Sequence, residues 1–328
     1  MARFSVLDFA PIPEGKTVRD GFQNTLALAQ HVEQLGFERF WLAEHHNMVG
    51  IGSAATSLLI QHVAAGTSRI RVGSGGIMLP NHSPLVIAEQ FGTLEALFPG
   101  RIDLGVGRAP GTDQFTMRAL RRDPSSSNAF PSDVRELQHY LAPAQPGQRI
   151  VANPGVGSQV PIWMLGSSTF GARLAAQLGL PYAFASHFAP AELMNALQVY
   201  RENFQPSGQL SRPYAMVCGT VICADSDAEA QRLFTTAQLT FAYLLRNKRG
   251  ALPPPVDNID DYLNPAERAH TNQVLERSFV GSPWKVRQEL DYFLRETGAD
   301  ELMVCDYVHD QDARRHSYSL LGEVMRSL

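Results

Sequence analysis

The sequence predicts one (β/α)8 barrel spanning residues 1–328, with insertions at the face carrying the carboxyl ends of the strands. Strand-like and helix-like segments alternate along most of the chain, and eight apolar strand candidates lie between helices. Strands that repeatedly follow helices pair in parallel, and eight such units close into a barrel. Glycine and polar residues also collect directly after the strands, where a barrel builds its site. Closure itself is not written in a sequence, so a doubly wound open sheet is the alternative.

Phe4 to Phe9 reads as the first strand. Val18 to Leu35 reads as an amphipathic helix with Phe22, Leu26, Ala29 and Val32 on one face, stopped by Gly36. A short apolar strand covers Arg39 to Ala43, and Ser53 is placed to cap a helix reaching about Ala65. Ile70 to Ser74 is a strand, Pro84 to Leu97 a helix and Arg101 to Gly107 a strand. From Arg121 to Gln159 the alternation loosens around Pro124, Pro131, Pro143, Pro146 and Pro154. It resumes with strands at Pro161–Leu165 and Tyr182–Ser186 and helices at Thr169–Leu178 and Ala191–Phe204. Tyr214 to Ala224 is a long strand, after which Asp225 caps a helix to about Arg246. The proline-rich segment Ala251–Pro265 interrupts again, before a helix at Trp284–Glu296, a strand at Glu301–Tyr307 and a last helix at Ala313–Met325. The stretches 121–159 and 246–280 are therefore read as insertions, and the second, with Arg246, Lys248 and Arg249 before its prolines, as a candidate lid or else a passive surface excursion.

Composition bounds the function. Hydrophobic residues make up 44% and charged residues 18%, enough for a sizeable core. A net charge of −4 gives no general attraction to phosphate backbones, so nucleic acid is not an expected partner. No stretch approaches the roughly 20 apolar residues that span a bilayer. The opening MARFSVLDFAPIPEG, interrupted by Asp8, reads as a strand rather than a signal peptide. Cys218, Cys223 and Cys305 match no zinc spacing and are read as reduced, apolar core thiols of a cytoplasmic protein.

The residues directly after each strand are the candidates. Glu44-His45-His46 follows the second strand; Gly73-Ser74-Gly75-Gly76 and then Asn81-His82 follow the third. Gly105 to Gly111 follows the fourth, Gly166-Ser167-Ser168 the fifth and Ser186-His187 the sixth. Adjacent strand residues point to opposite faces, so at most one of His45 and His46 faces the axis. Gly75-Gly76 is either a tight turn or a place where a flat ring can approach the backbone. Gly166-Ser167-Ser168 is either a plain helix cap or a phosphate cradle at a helix N-terminus. Arg108 is either a surface ion-pair partner or a phosphate ligand. Glu44, His45, His46, His82 and His187 could in principle supply zinc. No His-x-His pair accompanies them and Asp306 is the one candidate for a late catalytic aspartate after an apolar strand, so no metal site is expected.

Taken together these segments resemble the bacterial luciferase-like monooxygenases. WLAEHH (Trp41–His46) is similar to the family's second strand, VGSGGIMLPNHSP (Val72–Pro84) to its third, and PGRIDLGVGRAPGTD (Pro99–Asp113) to its fourth strand and arginine loop. PIWMLGSS (Pro161–Ser168) and LAAQLGLPYAFASHFAP (to Pro190) are similar to its fifth and sixth units, and FVGSP (Phe279–Pro283) to the start of its late helix. The resemblance implies a flavin-dependent monooxygenase in which His45 stands beside reduced flavin as the catalytic residue. It implies a non-proline cis peptide at Gly75-Gly76 under the ring. Arg108, Gly166, Ser167 and Ser168 are implied at the phosphate. It further implies reduced FMN supplied by a separate flavin reductase, O2 and a small-molecule substrate; a homodimer is allowed. Where luciferases carry a reactive cysteine before the arginine, this chain has Gly107, so no thiol role arises there and no light emission is implied. A deazaflavin-dependent oxidoreductase on the same barrel and a flavin-binding relative without turnover are the alternatives. No glycine fingerprint for NAD(P)H is present.

Overall fold

In a computed structural model that describes residues 3–109 and 113–328, the strands close into a barrel. The ring consists of β1 (Arg3–Asp8), β2 (Arg39–Leu42), β3 (Arg71–Met78), β4 (Ile102–Gly107), β5 (Ile162–Gly166), β6 (Tyr182–Phe184), β7 (Ala215–Cys223) and β9 (Glu301–Cys305). Each pairs in parallel with the next, and β9 returns to β1 through Phe4↔Leu302 and its neighbours. The open-sheet alternative is thereby excluded. A further strand, β8 (Ser278–Gly281), pairs only with the far half of β7. It occupies the FVGSP segment that the sequence assigns to a helix start; the helix begins after it, at Pro283.

Period-2 alternation sorts most of the ring's strand residues into two cores. Phe4, Val6, Phe40, Leu42, Ile162, Met164, Leu302 and Val304 point outward into the large core beneath the helices. Leu7, Trp41, Trp163, Met216, Cys218 and Met303 point inward and fill the barrel. The amino-terminal end of the interior is polar. Arg39 is buried between Asp103 and Glu301, 2.9 Å from each, with its guanidinium 4.7 Å from the Trp163 ring. Trp41 Nε1 donates to Asp103 and the Tyr214 hydroxyl to Glu301. The barrel is thus plugged at one end and can open only at the other.

Local chemistry sets the helix ends. Thr17 and Asp20 form a reciprocal capping box at the start of α1 (Val18–Leu35), and Gly36 ends it at φ 89°. The cap before α2 (Thr56–Gly66) is Ala55, not Ser53, whose hydroxyl instead bonds the Ala43 carbonyl. Helix α3 (Pro84–Leu97) follows β3, and α4 (Gln114–Ala119), six residues long and too short to show a period, is capped by Asp113. Within 121–159 the chain forms α5 (Phe130–Leu141), packed on α3; Pro131 opens this helix rather than breaking it. Helices α6 (Thr169–Leu178) and α7 (Leu193–Glu202) follow β5 and β6. Ser226, rather than Asp225, caps α8 (Asp227–Leu245). The second excursion holds α9 (Pro265–Val274), with its own Asn264–Glu267 capping box, and ends where β8 begins. Helices α10 (Pro283–Thr297) and α11 (Gln311–Ser327) complete the layer. Among the described residues no helix is long and apolar enough to cross a membrane.

Candidate active site

A cavity of about 600 Å³ lies at the carboxyl ends of the strands. It is lined by every residue that the sequence singles out for the flavin: His45, Gly75, Gly76, Arg108, Gly166, Ser167 and Ser168. Its walls are mainly apolar and aromatic, including Phe9, Phe170, Phe188, Phe241 and Tyr307. Such a lining holds a flat, largely apolar ligand, and its few polar groups set orientation.

One end of the cavity suits an anion. Ser168 precedes α6 with extended backbone (φ −153°, ψ 169°), and among the described residues no side-chain hydrogen bond caps the first-turn amides. Those N–H groups and the helix dipole are left to a ligand. Arg108 is exposed at the same rim, its guanidinium carbon 4.1 Å from the centroid of Phe170. Of the loop that carries it, Pro110 and Gly111 lie outside the described residues.

The Gly75–Gly76 peptide bond is cis. The glycines are required by the barrel as well as by any ligand. A Cβ at Gly75 would stand 2.6 Å from Leu7 Cδ1, and one at Gly76 would stand 2.7 Å from the Gly105 carbonyl oxygen. Bare backbone therefore forms this part of the wall.

The histidines divide. His45 and His187 both line the cavity, and their rings lie 6.0 and 6.5 Å from that of Phe9. Burial lowers the pKa of each; His187, which also feels the charge of His45, falls to about 3. Both are neutral imidazoles at neutral pH, and the Nδ1 of each is buried with no partner among the described residues. Glu44 turns the other way, as adjacency on a strand requires. Its Oε1 accepts from His46 Nε2 and His82 Nε2, each at 2.8 Å, and its Oε2 from the Met78 amide at 3.1 Å. Burial would raise the Glu44 pKa, but the His46 and His82 hydrogen bonds, the His82 charge and the Met78 amide outweigh it and hold the carboxyl at about 2. Glu44, His46 and His82 thus form a separate cluster behind the cavity wall, and Glu44 does not orient the His45 ring.

The mouth is stitched by loops from four places. Arg249 Nη1 lies 2.6 Å from Asp113 Oδ2 and donates to the Asn47 carbonyl at 3.1 Å, while Asn47 Nδ2 donates to Asp113 at 3.1 Å. Leu252 exchanges backbone hydrogen bonds with Ile12 and Glu14, and the Ile12 amide donates to Gly50. A Cβ at Gly50 would run into the Gly250 carbonyl. Residues Lys248 to Pro253 line the cavity, so this part of 246–280 covers it. His187 is a lining residue that the sequence does not single out for the flavin. Its signal is its place directly after the sixth strand.

The profile of the luciferase-like monooxygenase family matches residues 2–301. A "Luciferase-like monooxygenase" of Escherichia coli (strain K12) is 54% identical over 99% of this chain and 97% of its own length. The "N-acetyl-S-alkylcysteine monooxygenase" of Bacillus subtilis (strain 168) is 31% identical over 99% and 98%. Among solved structures, apo-MsnO8 superposes with a TM-score of 0.89 at 37% identity, covering 99% of both chains. More distant barrels share the fold alone. The FMN-bound oxygenating constituent of 3,6-diketocamphane monooxygenase from Pseudomonas putida has a TM-score of 0.74 at 17% identity, covering 98% and 97%. An F420-dependent secondary alcohol dehydrogenase has 0.73 at 14%, covering 99% and 98%.

Proposed function

The chain belongs to the luciferase-like monooxygenase family, and on that premise we propose that it is a two-component monooxygenase that uses reduced FMN, supplied by a separate reductase, and O2 to oxidise a small, uncharged organic substrate. One observation carries this: a single apolar cavity joins an anion-binding end, at Arg108 and the α6 N-terminus, to two neutral histidines. The residues present fit FMN. The uncapped first turn of α6, Ser167, Ser168 and Arg108 would hold the phosphate. The side-chain-free wall at Gly75–Gly76 would back the ring system.

Reduced flavin held there would supply the two electrons with which O2 gives one oxygen atom to the substrate and the other to water. The chain supplies position, a proton relay and exclusion of water. His45, neutral and half-buried, can accept a proton at a ring nitrogen and return it. Phe9, Phe241 and Tyr307 keep the space apolar, and the Asn47–Asp113–Arg249 contacts hold loops over its mouth. Charge in such walls is costly to bury, so an uncharged substrate fits best.

FMN is favoured over a deazaflavin with an oligoglutamyl tail by the net charge of −4, which disfavours a polyanionic extension. Anaerobic titration with reduced FMN and with reduced deazaflavin, followed by oxygen, tests the proposal. Saturable binding of reduced FMN with weak NAD(P)H binding is expected. Binding of the deazaflavin alone, or direct oxidation of NAD(P)H by the purified chain, overturns it.

A further inference from the structure

We propose that His187, Cys218 and Cys305 form a soft-metal site at the floor of the cavity that binds a zinc-class divalent cation. The three side chains are buried, and one donor atom from each lies within 4.8 Å of the others. The sequence alone gives these thiols no role, because the cysteines stand 87 positions apart (305 − 218) and no spacing motif joins them.

The topology makes the cluster. Cys218 has the inward parity of β7, and Cys305 is the last residue of β9. The register pairs Cys218 with Met303 and Thr220 with Cys305, which sets the two cysteines diagonally across one ladder on one face. Ser186 then clamps the end of β6 to β7: its hydroxyl donates to the Cys218 carbonyl and accepts from the Cys218 amide at 3.2 Å. That contact places the next residue, His187, over the thiols.

Donor chemistry selects the ion. Tetrahedral zinc with Zn–S near 2.3 Å and Zn–N near 2.0 Å needs donors roughly 3.5–3.8 Å apart, so closing the present cluster takes shifts of about 1 Å. Burial already keeps His187 in the neutral, ligating form. Burial, and then Cys305, push the Cys218 thiol well above its ordinary value, so without metal its sulfur is protonated. Binding displaces both protons: M²⁺ plus two thiols gives a neutral dithiolate complex and two H⁺. Zero net charge suits an apolar floor, whereas a monovalent ion on two thiolates would leave an uncompensated negative charge. The competing bonds are weak, since the Thr220 hydroxyl and the Gly219 carbonyl lie 3.6 and 3.8 Å from the Cys305 sulfur. His187 and Cys218 line the cavity, so a fourth coordination position opens onto it. The cluster of Glu44, His46 and His82 is the rival, but there both Nε2 atoms are already spent on one carboxylate oxygen.

The test uses flavin-free, reduced protein and Co²⁺ as a spectroscopic stand-in for zinc. Binding of about one ion with release of about two protons is expected, together with a thiolate-to-cobalt charge-transfer band and the visible bands of a tetrahedral ion. Zn²⁺ should displace the cobalt. Cys218→Ser and Cys305→Ser should each lose the thiolate band, whereas Glu44→Gln should keep it. Absence of a thiolate band in the wild-type chain, which needs no variant to fold, overturns the site. Cobalt binding that survives Cys218→Ser but disappears in Glu44→Gln also overturns it and moves the ion to the other cluster.

Discussion

Replacing Glu44 with Gln removes one negative charge from beside the active cavity while keeping an acceptor oxygen. The Glu44 side chain is 1% exposed, so solvent screens it little. Its carboxyl sits at about 2 in the folded chain against an ordinary 4.5. That gap, at ~1.36 kcal/mol per pH unit, corresponds to about 3 kcal/mol. A carboxyl depressed on folding contributes stability above its unfolded value, and the contribution is lost as pH falls through the folded one. Glu44→Gln should therefore be less stable than wild type by about 3 kcal/mol at pH 7. At ~2.1 cal/mol/K per residue the unfolding entropy of a chain this long converts that to a fall in Tm of about 4–5 °C. By about pH 3 the wild type has lost more than half of the contribution, so the gap should shrink to less than half. Differential scanning calorimetry of both proteins at pH 7 and pH 3 reads the effect. The same substitution should lower the His46 pKa, because the Glu44 hydrogen bond is the main cause of its elevation. A Tm gap equal at the two pH values would show that the carboxylate charge is not what holds the cluster.

Further outcomes concern the proposed function. Arg108→Ala should weaken reduced-FMN binding by about 1.5–3 kcal/mol, the range for a hydrogen bond to a charged group; calorimetric titration checks this, and an unchanged Kd removes Arg108 from the phosphate. His45→Ala should leave Tm nearly unaltered, because its Nδ1 has no partner to strand, but should divert oxygen consumption from product to hydrogen peroxide. A lower Tm with unchanged coupling would make His45 a structural residue. Arg249→Ala removes a half-exposed ion pair at the cavity rim, worth about 0–1 kcal/mol where solvent screens it, so Tm should barely move. Amide exchange in residues 47–52 and 249–252 should nevertheless accelerate, and peroxide yield should rise with it; unchanged exchange would show that the Asp113 contact does not hold the mouth closed.

The order of strands and helices was legible because period 2 and period 3.6 are local properties of the chain. Capping residues such as Thr17 and Asp20, and the terminating Gly36, act within a few positions and are read the same way. The strand ends were legible too, since a barrel turns residues that follow its strands toward one face. For that reason His45, Gly75, Gly76, Arg108 and Gly166 to Ser168, scattered over 124 positions (168 − 45 + 1), line one cavity. Short segments were less so: β8 is four residues long, and SFVG has too few positions to show a period. Pairing across the barrel was not legible at all. Alternation turns Glu44 away from His45, but nothing local brings His82 to Glu44, or tells Arg39 to settle between Asp103 and Glu301. Nor does any spacing bring His187 to Cys218 and Cys305. Those partners are chosen by closure and register, which set distant strands side by side and decide which of their alternate residues share the interior. Local pattern along the chain marks which residues can face a ligand; closure of the barrel sets which of them face one another.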